Sequence, residues 1–108
     1  MANTSQIQQG DVLLEKISSV PRGARKVELK DGRIILAEGE THGHHHAIAD
    51  AHATAFELNG QMYVEVKEAP VILTHEEHKH LPIPIGIYRV GRVQEYDHLT
   101  QMTRKVVD

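Results

Sequence analysis

Two dipeptides, Asp31-Gly32 and Asn59-Gly60, each stand at the centre of a stretch in which apolar and polar residues alternate. Asp, Asn and Gly are the residues that reach positive φ at small cost, as a tight turn between antiparallel strands demands. Short alternating runs divided by such turns read as β-hairpins rather than helices. In KVELKDGRIILAE (26–38), a two-residue turn at Asp31-Gly32 predicts Val27, Leu29, Ile34 and Leu36 on one face. In ATAFELNGQMYVEVK (53–67), a three-residue loop, Asn59-Gly60-Gln61, is preferred. It gathers Phe56, Leu58, Met62, Val64 and Val66 on one face, which a two-residue loop would divide. GDVLLEKI (10–17), APVILTH (69–75) and IGIYRVGRVQEYD (85–97) supply further strands. In the last, the apolar parity shifts near Gly91 from Tyr88 and Val90 to Val93, as a β-bulge would cause. The expectation is a single all-β domain over 1–108, a small antiparallel barrel or sandwich of about six to eight strands. Its ends, 1–9 and 98–108, are read as flexible or helical, with a short C-terminal helix from His98 onward as one option.

A chain of 108 residues buries roughly two-thirds of the surface that it exposes when unfolded, enough for one modest core. Its net charge of −3 and its scattered Lys and Arg give no electrostatic footprint for nucleic acid. No apolar run approaches a membrane span and the first residues lack the features of a signal peptide, so the chain reads as cytoplasmic. With only 4% aromatic residues and several strand edges to protect, a homo-oligomer is expected.

The chain has no cysteine and nine histidines. A metal must therefore be held by imidazole and carboxylate, which suit Zn, Fe, Ni, Mn or Cu. Four of the histidines fall within five positions, His42 and His44 to His46, too far from either terminus to be a tag. If this segment is extended, His44, His46 and Ile48 share one face, and His45, Ala47 and Ala49 the other. A H-x-H pair on a strand lets two imidazoles converge on one ion. In LTHEEHKHLP (73–82), His75 continues the apolar face of Val71 and Leu73, with His78 one turn of loop beyond. Both clusters extend an apolar face, so their imidazoles are expected to point inward. The metal ligands are drawn from His44, His46, His75 and His78. Glu76 or Glu77 is a further ligand, an acceptor for a ligand's other N–H, or, in an enzyme, the catalytic acid or base. His42, His45, His52, His80 and His98 read as solvated or supporting. Asp50 and Glu57 read as a solvated strand face, and Tyr63, Tyr88 and Tyr96 as packing residues.

Gly39, His44, His46 and Asp50, followed by Pro84-Ile85-Gly86, resemble a degenerate pair of cupin motifs. Asp stands where Glu is usual, and Arg89 occupies the place of the late His. A cupin barrel is therefore one form the fold takes under this resemblance. Over more of its length, through QGDVLLEKI, GETHGHHHAI, LTHEEHKHLPIPIGIYRV and VQEYD, the chain is similar to a family of small uncharacterised bacterial and phage proteins. Their histidines fall on His44, His46, His75 and His78 and their paired acids on Glu76 and Glu77. The sequence departs from them in the extra His42 and His45 and in the longer approach to Pro84. That resemblance implies a site but no reaction.

Three classes of function follow. The first is a metal-binding β protein whose ion is structural or serves a partner. The second is a cupin-like metalloenzyme, a hydrolase or oxygenase, with three His ligands, an open position and Glu76 or Glu77 as acid or base. The third is an assembly subunit in which neighbouring chains share the metal. An apolar cavity beside the ion would favour the enzyme.

Overall fold

The computed structural model describes residues 6–38, 44–92, 94–97 and 102–105, and among them every regular element is a β-strand. The chain opens with a hairpin of β1 (Gln6–Gln9) and β2 (Val12–Ile17), turned at Gly10-Asp11 with Gly10 at φ 57°. Then come β3 (Arg25–Lys26), β4 (Ile34–Glu38) and β5 (His45–Ile48), followed by a second hairpin, β6 (Ala53–Leu58) and β7 (Gln61–Val66). Strands β8 (Val71–Thr74), β9 (Leu81–Ile83) and β10 (Gly86–Arg92) precede a paired β11 (Gln94–Asp97) and β12 (Met102–Lys105).

One sheet has the order β1-β2-β10-β7-β6-β3 and another the order β4-β5-β8-β9, with β11-β12 as a separate ribbon. Neither large sheet closes on itself, so the fold is sandwich-like rather than a closed barrel. One buried cluster draws on both: Val12, Leu14, Val64, Val66 and Tyr88 from the first, Ile34, Ile48, Val71, Leu73 and Ile83 from the second. Period-two alternation produces this, since Val12 and Leu14 are buried while Leu13 and Glu15, on the opposite face, are half-buried. Each fully buried aliphatic side chain contributes about 1.5–3 kcal/mol relative to an exposed one. Tyr88 lies wholly inside, and its hydroxyl donates to the Pro84 carbonyl oxygen at 2.8 Å. No helix among the described residues is long and apolar enough to cross a membrane.

Several expectations are corrected. The Asp31-Gly32 turn forms, with φ of 52° and 74° and reciprocal hydrogen bonds between Lys30 and Arg33. Its arms then part, β3 joining β6 and β4 joining β5. Val27 packs on the core, but Leu29 is 58% exposed, so the predicted common face with Ile34 and Leu36 does not hold. At Asn59-Gly60 the loop has two residues, not three: Leu58 pairs with Gln61, and φ is 51° and 80°. The small Ala53 and Ala55 share the core face with Val64 and Val66, while Phe56 pairs with Tyr63 on the other side. Burial by alanines removes the reason for a longer loop. No bulge occurs at Gly91, where the register with β2 runs unbroken from Ile87 to Arg92. Residues 6–9 form a strand rather than a flexible or helical end, and 102–105 form β12 where a C-terminal helix was an option. Gly39, His42, Val93 and His98 lie outside the described residues, as does the side chain of Tyr96.

Candidate metal centre

The register between β5 and β8 builds the site. Ala47 pairs with Thr74 and Ile48 with Leu73. Continued past the ladder, the same antiparallel register sets His46 against His75, His45 against Glu76 and His44 against Glu77. Contacts follow that order. The rings of His46 and His75 lie 4.4 Å apart between centroids, the His45 amide donates to Glu76 Oε1 at 2.8 Å, and His44 Nδ1 meets Glu77 Oε1 at 3.0 Å. His78, three residues past His75, returns its ring to 4.5 Å from His75 and 5.8 Å from His46. His44 completes the group edge-on to His75 at 5.6 Å.

The structure thus brings together the four histidines singled out in the sequence. His46 is wholly buried and His75 nearly so, whereas His44 and His78 are half-buried and Glu76 and Glu77 exposed. His44, His75 and Glu76 each present one donor atom within 4.8 Å of the others, a spacing compatible with one shared ion. His80 is exposed; His52 is engaged elsewhere, its backbone amide and Nδ1 both reaching Asp50 Oδ1 at 2.8 Å. Those contacts hold the Asp50 carboxyl below its usual range. The Glu76 carboxyl is also lowered, first by the His45 amide, then by its own backbone amide, with smaller help from the charges of His75 and His44.

Two residues of the site escaped sequence reasoning. Gln9 and Asp11 flank the glycine of the first turn, and both are buried. The Gln9 side-chain amide donates to the carbonyl oxygens of Leu73, at 3.0 Å, and Lys79, at 2.9 Å. With its nitrogen so engaged, its oxygen lies 2.8 Å from His46 Nδ1 and accepts that ring's proton. Gln9 therefore ties the first hairpin to β8 and to the His-rich loop. Asp11 Oδ1 lies 3.6 Å from His46 Nε2, and Asp11 Oδ2 pairs with the Arg92 guanidinium. The available signal was the QGD of the opening motif, where polar residues flank a turn glycine directly before a core strand.

Hydrogen bonds assign the tautomers of neutral rings. Proton-bearing Nδ1 atoms face Gln9 in His46 and the Glu77 carboxylate in His44, so each ring directs an Nε2 lone pair away from its support. This carboxylate or amide support is the usual setting of a metal-ligating imidazole. His75 is different. Its Nδ1 accepts from the amides of Glu77, at 3.0 Å, and His78, at 3.3 Å, which places its proton on Nε2. To ligate through Nε2, His75 must carry its proton on Nδ1 instead and give up those two contacts.

A cleft of about 800 Å³ lies elsewhere, lined by residues such as Val27, Leu29, Gly32, Ala51 and Thr54 and by none of the clustered histidines. Comparison with curated proteins and with solved structures returns no match. Residues 8–93, the span that holds Gln9, Asp11, the clustered histidines and Arg92, match the model of a domain of unknown function, DUF8820, and the chain belongs to that family.

Proposed function

We propose that this chain binds one first-row divalent metal ion through the cluster of His44, His46, His75 and His78. The observation that carries this reading is the chain of ring contacts, 4.4 to 5.8 Å between centroids, joining four imidazoles from two separate segments at the end of the β5–β8 ladder. Four imidazoles packed together in a cysteine-free chain form a borderline donor set suited to Zn, Fe, Ni, Mn or Cu. Glu76 and Glu77 support the histidines through the His45 amide and the His44 ring. The role proposed is that of a metal-binding β protein; the cleft of about 800 Å³ is lined by none of the clustered histidines and so adds no support for a substrate site beside the ion. Binding to the folded state alone stabilises it by mass action. Adding Zn²⁺ to chelator-treated protein should raise the melting temperature, and the chelator should reverse the rise. A melting temperature indifferent to Zn²⁺, Ni²⁺, Mn²⁺ and Fe²⁺ would contradict the proposal.

We further propose that the chain self-associates, supported by Leu29, Ile72 and Ile85, which are each about half exposed. Light scattering that finds a monomer at all working concentrations would contradict it.

A further inference from the structure

We infer that Asp11 is a ligand of the metal, making the site a mixed imidazole–carboxylate centre whose innermost edge is His46 Nε2 and Asp11 Oδ1. The inference rests on the metal-binding reading above and adds to it a residue from the other sheet. The two atoms are 3.6 Å apart, with both side chains buried. That is longer than a good hydrogen bond. It is close to the spacing of two ligands on one ion: donors about 2.0–2.2 Å from a metal at a tetrahedral angle lie roughly 3.4 Å apart.

Orientation agrees with distance. Gln9 accepts the Nδ1 proton of His46, so when the ring is neutral its lone pair is on Nε2, the atom 3.6 Å from Asp11 Oδ1. Arg92 pairs with the other Asp11 oxygen and balances part of the buried charge. The Nε2 atoms of His75 and His78 are, like Asp11 Oδ1, closed off from solvent. A carboxylate among imidazoles favours Zn²⁺, Mn²⁺ or Fe²⁺ over soft ions such as Cu⁺.

Co²⁺ is the probe, because its ligand-field absorption reports the donor set directly. Titrated into wild-type protein it should saturate at one equivalent. Asp11→Asn keeps the size of the side chain and should weaken binding about a hundredfold or more, with an altered band for whatever Co²⁺ still binds. Equal affinity and an unchanged band in Asp11→Asn would overturn Asp11 as a ligand while leaving metal binding standing. Failure of the wild type to bind Co²⁺ and Zn²⁺ would overturn both. If Asp11→Asn does not fold, the sequentially assigned Asp11 carboxyl carbon of the wild type provides the answer by NMR. On adding Zn²⁺ it should shift more than that of Asp31, a turn residue outside the site; a smaller or equal shift would overturn the inference.

Discussion

His46 and Asp11 face each other across 3.6 Å, although one lies on β5 of the smaller sheet and the other in the β1–β2 turn of the larger. The relationship makes the histidine cluster a junction between sheets rather than a decoration of one loop. Gln9 reinforces it with three hydrogen bonds that reach the backbone of Leu73 and Lys79 and the ring of His46.

The first prediction contrasts neighbours on one strand. His46→Ala removes a buried donor and should lower metal affinity about a hundredfold or more. His45→Ala keeps the backbone amide that serves Glu76 and should change affinity no more than a few-fold. Metal titration of both variants checks this, and equal losses would contradict the assignment of faces.

The second prediction concerns protons. In the metal-free protein at neutral pH, nitrogen-15 NMR should find neutral His46 protonated at Nδ1 and neutral His75 at Nε2. The same tautomer in both rings would contradict the hydrogen-bond assignment. Gln9→Leu should release His46 from its Nδ1–H form and weaken metal binding by about ten- to a hundredfold.

The third concerns a turn. Gly60 sits at φ 80° with open space where a Cβ would go, so Gly60→Ala costs conformation rather than a clash. Thermal unfolding should show a loss of roughly 1–2 kcal/mol. No loss would mean that the loop is not the two-residue form.

The fourth is a pH dependence away from the site. Glu15 and Arg89 are directly opposed on β2 and β10, and hydrogen bonds and charge from Arg89 hold the Glu15 carboxyl below its usual range. A depressed carboxyl stabilises the fold fully above its unfolded pKa of about 4.3, and that contribution is lost as pH falls through the folded value. Carbon-13 NMR should find Glu15 titrating below the usual glutamate range, and Arg89→Ala should return it there. An unchanged titration after Arg89→Ala would contradict the pairing.

These residues also show how far the sequence reaches. Turn dipeptides and alternation disclosed an all-β chain, and parity placed His44 with His46 and His75 with Leu73, because side-chain direction in a strand is local. Pairing partners are not local. The arms of the Asp31-Gly32 turn separate into different sheets, a choice made by β5 and β6 competing for them. A three-residue loop at Asn59 follows only if large apolar residues count for more than alanines, and in the structure Ala53 and Ala55 take the core face. Gln9 and Asp11 are not legible because a polar residue at a turn looks solvated until the second sheet closes over it.

The central claim is that the folded protein holds one metal ion, and affinity should fall toward pH 5, as imidazoles with an ordinary pKa of about 6.5 become protonated. The most direct measurement is elemental analysis of protein purified without a tag and without added metal near neutral pH, repeated after dialysis against Zn²⁺ and removal of the excess. The account predicts close to one equivalent of a first-row divalent metal per chain after loading, lost on dialysis at pH 5. A chain that retains no stoichiometric metal near neutral pH would contradict it.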